Sequence, residues 1–414
     1  MTTAAGAPPA TEEGAVDWKR NVVALFVGQV AAMFGLSFTF PFIPLFLRNE
    51  LHITDAHQLA VWSGVASAGL GVGLFVSGPV WGMVADRYGR KPMLMRAMLG
   101  GAITVLGMGL STNVAELVIF RIAFGLLSGT TPVAIALAAA ETPTERMPFA
   151  LGWISAAGAF GTALGPAVSG AVAGFLGLRA TYFVGAAIEA CAVIPVLLLV
   201  RETRRPRHIS GEPRRAGGWR DVRALGRHTM GIISLLLVVQ ALYLTVSGAM
   251  QPLLVLRIVA LYTAAATVIT GVAFTLSGAG TGFAAALYSR AAGRTGHRRA
   301  AVIATLLMAG AVIAMASGGS LFVILPAVTL FGIASGTLAP GIATMLSLET
   351  PVHIRATVFG FVQSATAVGL IVGPLLASAV AAASGPAAGL VAASGVALLA
   401  TLTLAALGRL SRLS

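Results

Sequence analysis

The chain has 414 residues, of which 57% are hydrophobic and only 10% are charged, and its mean hydropathy is +0.90. Soluble domains carry roughly 25% charged residues, so this composition excludes an ordinary water-soluble fold. The net charge of +13 would suggest nucleic acid in a soluble protein. In a membrane chain the placement of Lys and Arg matters more, and no nucleic-acid partner is expected.

Twelve apolar stretches follow one another from Val22 to Leu407 with short polar breaks. Each is long enough, at about 20 residues, to cross roughly 30 Å of hydrocarbon as a helix. A transmembrane barrel would instead show alternating polarity in segments of about ten residues. We therefore predict an all-α integral membrane protein. The predicted spans are 22–47, 59–84, 92–111, 115–139, 148–174, 180–200, 229–256, 262–288, 298–317, 320–346, 356–382 and 387–408.

The basic residues predict how the chain lies in the membrane. The first 17 residues contain three acidic residues and no Lys or Arg, so they lack the basic start of a cleavable signal peptide. If the N terminus is inside, all 27 basic residues fall on the cytoplasmic side except Arg48, Arg121, Arg179 and Arg257. By the positive-inside rule, we expect a multi-pass protein of the cytoplasmic (inner or plasma) membrane with both termini cytoplasmic.

The longest break between predicted helices runs from Arg201 to His228 and contains nine arginines and three acidic residues. It divides the spans six and six, and we interpret it as a positive-inside connector without chemistry of its own. The predicted order is a cytoplasmic N-terminal tail, an N-terminal six-helix bundle, the Arg-rich cytoplasmic linker, a C-terminal six-helix bundle and a cytoplasmic tail. These parts correspond to residues 1–21, 22–200, 201–228, 229–408 and 409–414.

The two halves of the chain match each other at an offset of 207 to 208 residues. The clearest stretch aligns the fifth span with the eleventh, where Glu141-Thr142-Pro143 corresponds to Glu349-Thr350-Pro351 and Gly165-Pro166 to Gly373-Pro374. Gly152 and Gly161 likewise correspond to Gly360 and Gly369. Duplicated bundles produce such a repeat in membrane transporters.

A turn between the second and third spans has the sequence GMVADRYGRK. Its six spacing-constrained residues are Gly82, Asp86, Arg87, Gly89, Arg90 and Lys91. A charged cluster at the cytoplasmic rim of the protein can lock two bundles in one conformation and release them in the other. The plainer alternative is that this stretch is only a basic turn on the cytoplasmic side. The stretch resembles the loop-two motif of the major facilitator superfamily. This resemblance implies two pseudo-symmetric six-helix bundles with a conformational gate at these residues.

The fourth span carries RIAFGLLSG, from Arg121 to Gly129, which resembles the second motif of the same family. There, an arginine inside the membrane is associated with proton coupling. An arginine that faced lipid would cost several kcal/mol, so Arg121 is expected to face the interior, a cavity or a carboxylate. The alternative is an arginine that snorkels to the outer interface.

The fifth span resembles the antiporter motif of drug/proton exchangers, with Ser169 in place of a glycine. The matching positions are Gly152, Gly161, Gly165, Pro166 and Gly170. Glycines let another helix approach closely and the proline removes a backbone hydrogen bond, so a bend at a packing interface is predicted. The resemblance also implies the direction of transport, which is outward in exchange for protons. The WKRN start at Trp18–Asn21 is similar to that of bacterial multidrug resistance exporters.

Proton coupling requires a group that titrates within the transport path, yet the first span contains no acidic residue. Glu189 is the only carboxylate deep within a predicted span, and together with Arg121 it is our candidate for proton coupling. Against this role, the sixth span resembles outer scaffold in the family. Glu189 is then a neutral group, hydrogen-bonded between the small neighbours Gly185 and Ala192.

In this family a central cavity forms largely from the first, fourth, seventh and tenth helices. The candidates that the first and seventh spans offer are Gln29, Phe34, Phe38, Gln240, Tyr243 and Gln251. Apolar and aromatic walls with few charges favour uncharged or lipophilic solutes. Aromatic and amide side chains in helices also pack against neighbouring helices, which is the alternative role for each of these six.

The sequence therefore predicts a secondary transporter that exports drug-like molecules by proton antiport with alternating access. Its expected partners are the small molecule, protons and membrane lipids, and a monomer is expected. The alternatives are a carrier of one metabolite, such as a sugar or an organic acid, and a membrane sensor with a transporter fold. No enzyme motif, metal site or cofactor site is predicted. The single cysteine excludes an intramolecular disulfide, and neither lysine lies in a phosphate-binding Gly-Lys-Ser/Thr loop.

Overall fold

The described residues of the computed structural model are 17–202, 226–351 and 354–410. They form twelve helical segments that are long and apolar enough to cross a membrane, which confirms the predicted all-α membrane fold. Most of the predicted tails and most of the predicted Arg-rich linker lie outside these residues. The side chains of 82–88 and of 408–410 are also outside the described part.

The first six spans comprise nine α-helices, because the first, fourth and sixth spans are each broken once. Pro41 interrupts the first span at a 3₁₀ turn over Phe40–Phe42, since proline lacks the amide that continues a helix. The fourth span breaks at Gly129, whose φ of 124° suits glycine. The helices are α1 Trp18–Thr39, α2 Ile43–Asn49, α3 Ala56–Tyr88, α4 Arg90–Leu110, α5 Val114–Leu127, α6 Thr130–Glu141, α7 Met147–Leu176, α8 Leu178–Cys191 and α9 Val193–Leu199.

The last six spans are continuous helices. They are α10 Arg227–Leu261, α11 Ala266–Thr295, α12 His297–Ser317, α13 Leu321–Glu349, α14 Arg355–Ser384 and α15 Pro386–Leu410. The tight turns repeat between the halves. Gly89 and Gly296 have φ of 96° and 82°, and Gly177 and Gly385 have φ of 89° and 86°. These pairs follow the offset seen in the sequence, so the duplication extends to backbone conformation.

Each half packs as a bundle, and two pairs of helices join the bundles. In the N-terminal half, α1 lies against α7, α3 against α5, and α4 against α8; in the C-terminal half, α10 lies against α14, and α11 and α12 against α13. Between the halves, α3 packs on α14 and α7 packs on α11. Because each half contributes six spans, both chain ends of the described part lie on the same side of the protein. We call this the terminus side.

Candidate functional site

A cavity of about 400 Å³ lies between the two bundles. Helices α1, α3 and α7 of the N-terminal half line it, together with α10, α11, α13 and α14 of the C-terminal half. Among the described residues, no charged side chain contributes to its wall. Its walls are mostly apolar, with a few hydroxyl groups and one amide. Such a site suits an uncharged small molecule, because an ion would have to leave water without a counter-charge.

Two of the six predicted cavity residues, Tyr243 and Gln251, lie in this wall. Gln29 is instead almost fully buried and donates a hydrogen bond to Thr131 on α6 at 2.7 Å. Gln240 donates to Thr366 on α14 at 3.1 Å. These two amides therefore join neighbouring helices within a bundle.

The two predicted phenylalanines lie on α1 and are not among the residues that line the cavity. Phe34 packs against Phe38 with ring centroids 5.0 Å apart, and Phe38 is fully buried. The residues of the first span that do reach the cavity are Ser37, Phe40 and Pro41. They cluster at the break after α1, a position that helical periodicity alone does not reveal.

Arg121 is buried within the N-terminal bundle, with 1% of its side chain exposed. Its Nε donates to the carbonyl of Ala66 on α3 at 3.2 Å, and its guanidinium lies 4.2 Å from the centre of the Phe40 ring. Phe40 lines the cavity. One guanidinium nitrogen, NH2, has no hydrogen-bond partner in the described chain. Arg121 thus faces the interior of the protein, and the Phe40 side chain separates its guanidinium from the cavity.

Glu189 is also buried, with 2% exposed, on α8 at the interface with α1 and α4. Gly35 and Gly101 face its carboxyl group, and a Cβ atom at Gly101 would collide with it. Oε2 of Glu189 has no hydrogen-bond partner in the described part of the chain. The residue is therefore enclosed by helices and is not one of the residues that line the central cavity.

The antiporter-motif positions on α7 divide into three environments. Gly161 and Gly165 lie against α1, where Ser37 donates to the Gly161 carbonyl at 3.1 Å. Pro166 lines the cavity. Gly152 has no close neighbour, while Gly170 meets Gly271 of α11 in the opposite bundle.

Ser169, which departs from the motif, is fully buried and donates to the carbonyl of Phe38. Its hydroxyl therefore joins α7 to α1. A glycine at this position would lack that hydrogen bond.

The Major Facilitator Superfamily model matches residues 25–262 and 236–412 of this chain. The chain belongs to the major facilitator superfamily. It is similar to the multidrug resistance protein MdtG of Enterobacter lignolyticus, with 31% identity over 374 residues that cover 90% of this chain and 88% of that protein. The MdtG protein of Salmonella paratyphi C is 29% identical over 372 residues, 89% of this chain and 91% of that protein.

Solved structures show the same fold. A point mutant of the nucleoside transporter NupG superposes with a TM-score of 0.77 at 14% identity, covering 94% of this chain and 99% of that chain. A bacterial homolog of the human lysosomal transporter Spinster, in an inward-facing conformation, gives a TM-score of 0.76 at 16% identity over 98% of both chains. This facilitator is therefore a multi-pass inner-membrane protein that carries a small-molecule substrate, and it is not an enzyme.

The residues of the predicted gate motif lie at the turn between α3 and α4. Gly82, Asp86 and Arg87 fall in the last turns of α3, where the side chains are outside the described part. The backbone amides of Arg90 and Lys91 begin α4 and donate to the carboxylate of Glu202 at 2.8 and 2.9 Å. The Arg90 side chain donates to the Ala136 carbonyl of α6. These contacts stay within the N-terminal bundle.

Lys91 has a counterpart in the repeat. Its Nζ donates to the carbonyls of Leu197 and Val200, at the end of the sixth span. Arg298 in the same position of the C-terminal half donates to the carbonyls of Leu404 and Ala405, at the end of the twelfth span. A basic side chain is favourable at a helix C terminus because it satisfies free carbonyls and the helix dipole. Lys91 therefore caps the end of α9, whereas Arg298 contacts α15 about one turn before its last residue, Leu410.

Replacing Glu202 with alanine is expected to lower the stability of the N-terminal bundle by about 1 to 2 kcal/mol, because the first two amides of α4 would lose their acceptor. Thermal unfolding of the detergent-solubilised protein measures the effect. The exposed Glu145 on the terminus side provides the matched control. Glu145→Ala also removes one negative charge, but it leaves the hydrogen bonds that cap α4 in place. Equal melting temperatures for the two variants would contradict the capping role.

Sequence reasoning missed the contacts that join the bundles. Gly64 of α3 packs against Ser378 and the Pro374 carbonyl of α14, and its repeat counterpart Gly271 packs against Gly170. Gly71 lies against Ile371 of α14, and its counterpart Gly278 lies against Ala163 of α7. Both pairs obey the offset of 207 residues. A search of the second and eighth spans for repeated glycines would have found them.

Proposed function

We propose that this protein exports uncharged or lipophilic, drug-like small molecules across the inner membrane in exchange for protons. The observation that carries the proposal is the cavity between the bundles, whose described lining contains no charged side chain. Its volume of about 400 Å³ lies within the range of small-molecule sites, roughly 300 to 1,000 Å³. The relatives named multidrug resistance proteins cover about nine-tenths of the chain, which supports drug-like substrates.

Alternating access fits the position of the bundle contacts. Gly64 and Gly170 meet the opposite bundle in the half of the protein away from the termini, between the cavity and that surface. Near the terminus side, the repeat-related Gly152 and Gly360 have no neighbour from the other bundle. We infer a state closed on the outside and open toward the cytoplasm, with both termini cytoplasmic as the arginine distribution predicts.

Proton coupling is assigned to Arg121 and Glu189. Both are buried ionisable groups in a membrane domain, where such groups are rare and are retained for function. Arg121 lies directly behind Phe40 of the cavity wall, so its charge is close enough to sense an occupied cavity. Glu189 supplies the carboxyl group that can carry the proton. The gate motif around Asp86 and Arg87 serves as the conformational latch of this proposal.

A carrier of organic acids is the less favoured function. Its substrate would need inward-facing cations, and none of the described residues that line the cavity provides one. Arg121 approaches most closely, yet the Phe40 ring covers its guanidinium.

Reconstitution of the purified protein in liposomes tests the proposal. A pH gradient is imposed, and the internal pH is followed together with a neutral lipophilic dye. We expect proton movement that depends on the dye and dye movement that depends on the gradient. Dye movement without protons would indicate a uniporter, and the absence of both signals would favour a carrier with a narrow substrate range or a sensor.

A further inference from the structure

The two walls of the central cavity differ in their free hydrogen-bonding capacity. The N-terminal bundle supplies a largely apolar wall, which includes Phe40, Pro41, Leu70 and Pro166. The C-terminal bundle supplies most of the polar atoms. This difference sets how a bound molecule would be oriented.

The hydroxyl groups of the apolar wall are already used by the protein. Ser37 donates to carbonyls of its own helix and to the Gly161 carbonyl at 3.1 Å. Thr162 donates to the Gly158 carbonyl at 2.9 Å. Neither hydroxyl has a donor hydrogen left for a ligand, because each carries only one.

On the facing wall, three buried polar atoms have no hydrogen-bond partner within the described chain. They are Oγ of Ser247 and Oε1 of Gln251 on α10, and Oγ of Ser335 on α13. The hydroxyl of Tyr243 lies within hydrogen-bonding reach of both serines, and the three hydroxyl groups together keep donor hydrogens beyond these contacts. Gln251 Oε1 has no such neighbour, and an unpaired buried polar atom is costly. The three groups line one cavity and mark a surface that a polar ligand edge would satisfy.

We propose that the cavity binds neutral amphipathic molecules in a fixed orientation. The ligand places an edge with an N–H or O–H donor and a carbonyl-type acceptor on Ser247, Gln251 and Ser335, and it places its apolar face on the wall around Phe40. The donor reaches Gln251 Oε1, and the serine hydroxyls donate to the acceptor. This inference rests on the proposed function and narrows its substrate class.

The arrangement suits a transporter whose bundles move relative to each other. Hydrogen bonds are directional and depend on distance. Hydrogen bonds from the ligand to residues of a single bundle therefore persist when the two bundles move relative to each other. Apolar contacts are not directional, so the opposite wall can slide over the ligand. A permanently charged molecule finds no counter-charge on either wall, because no described charged side chain lines the cavity.

Three fluorescent probes with one aromatic core test the orientation. They are a diethylaminocoumarin primary carboxamide, its N,N-dimethyl carboxamide, which lacks the N–H donor, and the matching carboxylate. Binding to the purified protein in detergent is measured by fluorescence anisotropy. We expect the carboxylate to bind at least about tenfold more weakly than the primary amide.

Two variants separate the donor from the acceptor. In Gln251→Leu, we expect the affinity for the primary amide to fall about three- to tenfold, while the affinity for the dimethyl amide changes less than twofold. In Ser335→Ala, both amides are expected to bind more weakly, because both keep the carbonyl acceptor.

Thr337→Ala is the matched control and is expected to leave both amide affinities unchanged, because Thr337 lies on α13 like Ser335 but donates to the Ile333 carbonyl of its own helix and does not line the cavity. An unchanged ratio of the two amide affinities in Gln251→Leu would overturn the orientation and leave the proposed export function standing. An equal loss in Thr337→Ala and Ser335→Ala would also overturn it. If none of the three probes bound the wild-type protein, both this inference and the proposed substrate class would be wrong.

Discussion

Gly64→Val is expected to abolish transport while the protein still inserts and folds. A Cβ atom at this position would overlap the Ser378 side chain and the Pro374 carbonyl of α14. Because a backbone carbonyl cannot rotate away as a side-chain end can, the bundles would have to separate on the outer side. Overpacking of this kind costs about 1 to 3 kcal/mol. Each ~1.4 kcal/mol changes an equilibrium constant about tenfold. A cost of about 3 kcal/mol would therefore lower the population of the outward-closed state roughly a hundredfold.

The trapped state can be detected by labelling from outside the cell. Met250 lines the cavity, so a Met250→Cys substitution in a Cys191→Ser background places a single thiol there. In Gly64→Val we expect a membrane-impermeant maleimide to label this thiol faster, because the outer side stays open. The removal of Cys191 is needed since that cysteine is exposed and free.

Gly174→Val is the matched control for this prediction. Gly174 lies in the same outer half of the protein, near the end of α7, yet a Cβ atom there would have no neighbour within 4 Å. We expect this variant to transport and to label like the parent protein. If Gly64→Val transported at the wild-type rate, the contact between α3 and α14 would not be the outer closure.

The number of spans and the duplication could be read from the sequence because both depend on properties that recur along the chain. Hydropathy sets the spans, and an offset of 207 to 208 residues relates the halves. The same offset would have located Gly64 and Gly71 through Gly271 and Gly278. These glycines lie outside the clearest match, which relates the fifth and eleventh spans, so their contacts are not among the predictions.

Other features depend on three-dimensional contacts and could not be predicted from periodicity. Gln29 and Gln251 are both amides on predicted cavity helices, yet Gln29 joins α1 to α6 and Gln251 lines the cavity. The difference arises from the rotation of each helix about its own axis, which neighbouring helices determine. Likewise, Glu202 caps α4 from a position more than one hundred residues away, which no local motif indicates.

Glu189→Gln is expected to reduce dye-dependent proton movement at least tenfold in proteoliposomes. Glutamine has nearly the same shape as glutamate and can occupy the same space between Gly35 and Gly101, but it cannot release a proton. The fold and the binding of the neutral dye should therefore be retained, with a dye affinity within about twofold of wild type. Internal pH and dye fluorescence, followed in the same vesicles, provide both readouts.

Glu116→Gln is the control for this experiment. Glu116 lies in the first turn of α5 and accepts a hydrogen bond from the Thr112 amide at 2.8 Å, so its carboxylate has a local structural role. We expect this variant to keep wild-type proton movement. If Glu189→Gln kept it as well, Glu189 would act as a neutral packing group among α1, α4 and α8. Because no other described carboxylate lies as deep within a span, the proton carrier would then have to be a group nearer the end of a span.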